Sequence, residues 1–190
     1  MNLSYLRQSR QHGMTMIEVL VAIVVFTFGL LGIAALLVVG IKSSYSSQQR
    51  SSATQLAYDM MDRVRTNNIA ANLGSFHQAA TTSTAAAYTT TVAACVGATS
   101  AATGCTPAQL AQNDLADWET SVKALLGNSA AGIICRDSSS SNGTYDGTTI
   151  VPTCDGLGAT YAVKIYWLDE RGQAQNATPQ YQSFVTRFLP

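Results

Sequence analysis

The chain has 190 residues and a formal net charge of +0, and only 12% of its residues are Asp, Glu, Lys or Arg. That neutrality argues against a sequence-indifferent nucleic-acid binder, which needs a basic face to release counterions, and no local basic stripe is visible in the sequence. The few charges are also unevenly placed: residues 19–41 carry none, and neither do residues 66–113 apart from the neutral His77.

In chain order, residues 1–13 are polar and basic, with Arg7, Arg10 and His12. Residues 19–41 then form an apolar run of about 23 residues, long enough to cross a bilayer as a helix. Basic residues before it predict a cytoplasmic N-terminus and an exported remainder. An ordinary secretory signal has a shorter apolar core closed by small residues, and no such site closes this one. Glu18 stands at the edge of the run. A carboxylate there is either solvated by headgroups or asks for a partner charge.

The stretch Gly13-Met14-Thr15-Met16-Ile17-Glu18-Val19-Leu20, behind a short basic leader and ahead of an uninterrupted apolar helix, resembles the type IV prepilin cleavage motif. The resemblance implies that a prepilin peptidase cuts between Gly13 and Met14 and that the new α-amine of Met14 is methylated. It also implies that Glu18, fifth after the cut, pairs with the N-terminal ammonium of a neighbouring subunit. Two such charges are tolerable together in a low-dielectric bundle and costly apart, so the pair favours one axial register. Two departures stand out. Met14 replaces the family's usual Phe, and no proline precedes Pro107, whereas many major pilins have one in this helix. Both features point to a minor subunit. Residues 29–36 with residues 57–65 resemble the PilV type of minor pilin. Gly29, Gly32 and Gly40 are expected to permit close helix packing in lipid.

The helix is expected to continue to about Asn67. Ala53, Leu56, Ala57, Met60, Met61 and Val64 form one apolar stripe, with Asp59 and Arg63 paired four residues apart on another face. Residues 77–104, rich in Ala, Thr and Ser, predict a surface loop with a short strand at 88–92. Thr106, Pro107 and Gln109 predict a capped helix to about Leu126, with Leu115, Trp118, Val122 and Leu125 inward and Gly127 as its stop. Strands are expected at 132–136, 148–151, 161–167 and 181–188, with a turn at 169–172. These elements predict an α+β fold of type IV pilin kind: a long N-terminal helix, half transmembrane and half amphipathic, packed on a small antiparallel sheet. The expected divisions are a leader at 1–13, an assembly helix at 14–41, an amphipathic continuation at 42–67 and a head at 68–190.

Four cysteines in a small exported head predict two disulfides. Cys95–Cys105 and Cys135–Cys154 are the expected pairs, because each closes a short loop. No cysteine spacing suits zinc. The stretch from Asp137 to Gly143 faintly resembles a calcium loop, but its Gly is one place late and no acidic residue closes it. His77 lacks a nucleophile elbow to serve, and no phosphate-binding loop with its Lys occurs. Asp59 and Asp62 are expected to be solvated, and Tyr88 and Tyr145 to be isolated surface aromatics. No enzyme activity, metal or cofactor is therefore expected. The reading that results is a minor structural subunit of a type IV pilus that assists initiation of the fibre. Its expected partners are other minor and major pilins, the prepilin peptidase, the inner-membrane assembly platform and the membrane, with no nucleic acid. Its expected place is the inner membrane, head in the periplasm, and then the fibre. The alternatives are a minor pseudopilin of a type II secretion system and a membrane-anchored periplasmic binding protein.

Overall fold

A computed structural model describes residues 13–78, 83–84, 92, 95, 104–169 and 179–190. The expected leader up to residue 12, most of the strand expected at 88–92, Tyr88, and turn residues 170–172 lie outside the described residues. The chain divides into two compact units, Met1–Ile41 and Lys42–Pro190. The helix α1, Met16–Thr66, contributes to both. A long N-terminal helix with an apolar stretch on a small antiparallel sheet is an α+β fold of type IV pilin kind.

Within the second unit, the late turns of α1 bury Ser46, Gln49, Ala53, Leu56, Ala57, Met60, Met61 and Val64. Spacings of three and four residues put these on one stripe. After Thr66 the chain turns at Asn67, whose side-chain oxygen accepts the Ala70 N–H, into the short helix α2, Asn68–Asn72. Gly74 then takes φ +77, a left-handed conformation that suits a residue without Cβ.

The helix α3, Pro107–Leu126, begins as its residues dictate. Thr106 accepts the Gln109 N–H, and the Gln109 side chain accepts the Thr106 N–H in return, with Pro107 at the first helical position. Its inward positions are Ala111, Leu115, Trp118, Val122 and Leu126. Leu125, expected inward, is 57% exposed. One hundred degrees per residue carries the stripe from Val122 to Leu126 and leaves Leu125 on the flank.

The strands make two sheets rather than the single one expected. In one, β2 (Ala131–Arg136), β5 (Tyr161–Leu168) and β6 (Tyr181–Phe188) lie in the order β2-β5-β6, all antiparallel. In the other, β4 (Thr149–Val151) lies between β1 (Ser83–Thr84) and β3 (Thr144–Tyr145). β4 pairs with β1 and β3 instead of extending the β2-β5-β6 sheet at either of its edge strands.

Alternation along β5 sorts its side chains to two faces. Tyr161, Val163, Ile165 and Trp167 enter the main core with α1 and α3. Ala162 packs on Cys135 and Cys154, and Tyr166 packs with Ala131, Ile133 and Ile150. Both faces of β5 are therefore covered, where alternation predicted one. Gly132 on β2 permits the close approach of α3: a Cβ there would stand 2.6 Å from Trp118 Cζ3. The Trp118 indole N–H donates to the Leu56 carbonyl at 2.8 Å, tying α3 to α1.

Candidate functional site

The first unit carries the candidate assembly segment. Gly13, Met14 and Thr15 precede α1, and Thr15 starts it: its carbonyl accepts the Glu18 and Val19 N–H groups at 3.1 and 3.3 Å. Its hydroxyl also accepts the Glu18 N–H at 3.3 Å. Thr15 has the spacing of a capping residue to Glu18, a signal present in the sequence and not used there. Glu18 lies in the first helical turn, where the unpaired N–H groups favour an anion. Its carboxylate forms no hydrogen bond or ion pair among the described residues.

From Met16 to Ile41 every side chain is exposed: Met16 at 94%, Leu36 at 74% and Phe28 at 70%. The helix is long and apolar enough to cross a membrane. Gly29, Gly32 and Gly40 have open space where a Cβ would project. Met14, Glu18, Val19, Ala22, Ile23 and Phe26 line an open, mainly apolar hollow along the first turns.

A family model described as "Prokaryotic N-terminal methylation motif" matches residues 8–34, and one described as "Type IV pilin Tt1218" matches residues 35–116. The chain is a type IV prepilin-like protein. No curated protein and no solved structure matches it. The type IV pilin family is structural rather than enzymatic, and its members assemble with other pilins after contact with a prepilin peptidase in a membrane-associated system. The prepilin-like chain is therefore a pilin-like subunit of a pilus or pseudopilus, and its apolar helix and motif fit membrane anchoring.

In the head, Cys95 is bonded to Cys105 and Cys135 to Cys154, with Cα–Cα separations of 5.2 and 6.2 Å. Asp137, first residue of the calcium-like stretch, is fully buried and engaged. Its carboxylate lies 2.6 Å from Lys164 Nζ and 3.8 Å from Arg187 Nη2. It also accepts the Ser139 N–H and hydroxyl at 3.0 and 2.6 Å. Burial pushes the Asp137 carboxyl up, but the Lys164 ammonium and the Ser139 donors outweigh it and hold the group below its ordinary range. Lys164 spends its other two donors on the Ser141 and Pro152 carbonyls, at 2.9 and 2.6 Å. The sulfurs of Cys135 and Cys154 lie near Asp137, yet both are in a disulfide and the carboxylate is neutralised, so the cluster does not suit a metal.

Asp59 pairs with Arg63 four residues on at 3.0 Å, as its spacing predicts, and Asp62 lies 4.0 Å from Arg65, with both carboxylates solvent-exposed. Arg63 further reaches Asp114 on α3 at 3.2 Å. Tyr145 is not isolated. Its hydroxyl donates to the Ser129 carbonyl, its ring meets Tyr166 and Tyr181, and burial pushes its pKa up to about 12. His77 is half-buried against β2, where its Nδ1 accepts the Arg136 N–H at 3.1 Å. The Asp137–Lys164 pair escaped the sequence reading. The usable signal was a lysine set in the middle of an otherwise apolar strand.

Proposed function

We propose that this protein is a minor subunit of a type IV pilus, of the PilV type, that helps initiate or extend the fibre. The observation that carries the proposal is the first unit of the structure: a wholly exposed apolar helix whose only carboxylate, Glu18, lies in the first turn behind Gly13 and Met14. In this reading the peptidase cuts after Gly13, Met14 receives the methyl group, and the cut exposes an α-amine beside a neighbour's Glu18. The apolar surface is first solvated by lipid and then buried among other pilin helices. Met14 and the absence of proline before Pro107 favour a minor subunit over the major one. Before assembly the protein sits in the inner membrane with its N-terminus cytoplasmic and its head, stapled by its disulfides, in the periplasm. The assembly platform then draws it into the fibre.

The test compares wild type with Glu18→Ala by the amount of this protein in sheared pili relative to the membrane fraction. Losing one member of a buried ion pair costs about 3–5 kcal/mol, so incorporation falls by orders of magnitude. The membrane pool is retained, because the apolar run alone drives insertion. Equal ratios for the two proteins reject the pairing. Intact mass and N-terminal analysis of the native protein tests the cut and the methyl group: a chain still starting at Met1 in cells with the peptidase rejects both. Recovery with secretion-system components and never with pili would assign it to a pseudopilus instead.

A further inference from the structure

At Ile134 and Arg136 the outer edge of β2, on the side away from β5, is closed by groups that belong to no strand. Ile134 and Arg136 turn four backbone groups to that edge. The Ile134 N–H donates to Gln78 Oε1 at 2.6 Å, and its carbonyl accepts the Gln78 N–H at 3.0 Å. The Arg136 N–H donates to His77 Nδ1 at 3.1 Å, and its carbonyl accepts the Gly156 N–H at 3.1 Å. Three of the four bonds thus depend on two adjacent residues, and one of the acceptors is an imidazole.

We propose that His77 and Gln78 form an acid-releasable cap on the edge of β2. A backbone N–H can only donate, so His77 Nδ1 must be unprotonated and the neutral ring must carry its proton on Nε2. Protonation places a second N–H against the Arg136 N–H, and the bond is lost. The positive ring then faces the Arg136 guanidinium, which cannot swing away. Its Nη2 donates to the Ala71 and Asn72 carbonyls at 3.0 and 2.8 Å, and its carbon lies 5.7 Å from the centre of the Tyr161 ring.

Among the described residues, no carboxylate is placed to rescue the cation. Helix α2 has no charged residue. Asp155, next to Gly156 at the ring, is turned to Ser138 and the Leu157 N–H, and Asp137 is held by Lys164. Burial and then Arg136 lower the His77 pKa from 6.5. The unfolded chain therefore takes up the proton first. The cap contributes fully above about pH 6.5 and weakens as pH falls from there through the lower folded value. Once released, β2 presents unpaired N–H and C=O groups, the kind of edge that accepts another strand.

The proposal is independent of the pilus reading and is tested on the full chain in detergent micelles. Amide hydrogen exchange is followed between pH 7.5 and 5, corrected for intrinsic rates, together with the His77 ring resonances. Protection of the Arg136 and Ile134 amides is expected to fall roughly five- to tenfold, the worth of one hydrogen bond, with the midpoint of the His77 titration. The Val163 amide on β5 should be unchanged. In His77→Asn, which has an oxygen acceptor but no titration in this range, the acid-dependent step should vanish. Protection that stays flat across the His77 titration, or that falls equally in His77→Asn, overturns the proposal.

Discussion

The apolar stretch of α1 and the strand β5 invert one another. In the first, Val, Leu, Ile and Phe side chains stand exposed over residues 19–41. In the second, a lysine is fully buried and both faces are covered. Ordinary soluble proteins place these residue types the other way round. The apolar stretch is exposed along its whole length among the described residues, so its composition records surroundings other than the head. Lys164 is the reverse case: everything it needs is supplied by Asp137, Ser141 and Pro152 from the same head. Environment is imported in one region and built in the other.

The comparison breaks hardest at Lys164. Lys164→Met should cost the head about 3–5 kcal/mol, because it strands a buried Asp137 carboxylate. Thermal or urea unfolding followed by near-ultraviolet circular dichroism measures this. Removing both charges, as in Asp137→Leu with Lys164→Met, should recover most of the loss, since an apolar pair of similar volume often matches a buried ion pair. An equal loss in single and double variants would mean that the carbonyl contacts of Lys164, rather than its charge pair, hold the loops.

The opposite change belongs in the other region. Leu31→Arg should disfavour membrane insertion by about 3 kcal/mol while leaving head unfolding unchanged. Carbonate extraction of membranes measures the first and circular dichroism the second. Insertion as efficient as wild type would deny that residues 19–41 meet lipid.

Gly132→Ala sharpens the contrast at the level of shape. The added methyl enters the Trp118 ring, and overpacking of this kind costs about 1–3 kcal/mol. Gly29→Ala and Gly32→Ala, with open space around them, should leave the unfolding midpoint unmoved. The smallest measurable loss is expected at the cap of α3, where Thr106→Ala should cost about 1 kcal/mol.

What could be foreseen follows from how local each cause is. The long helix, the Thr106–Gln109 capping box and the strands of the larger sheet rest on periodicity and on contacts within four residues, all visible in the sequence. The second sheet was not visible as such. Strands β1 and β3 have two residues each, too few to show a period, and the partners of β4 are these two short strands. The candidate assembly segment was legible because its signal is a contiguous motif beside a long apolar run. The edge of β2 was not, because His77 and Arg136 are 59 positions apart and meet only after the chain has turned at Gly74.

The placing of the two tryptophans has a practical consequence. Trp118 and Trp167, 1% and 3% exposed, are both in the core cluster of the head, and the chain has no others. Tryptophan emission therefore comes wholly from the head, and the apolar stretch contributes none of it. Detergent exchange, lipid transfer and association through residues 16–41 can be carried out while selectively excited tryptophan fluorescence reports on the head alone, without a label or a truncated chain.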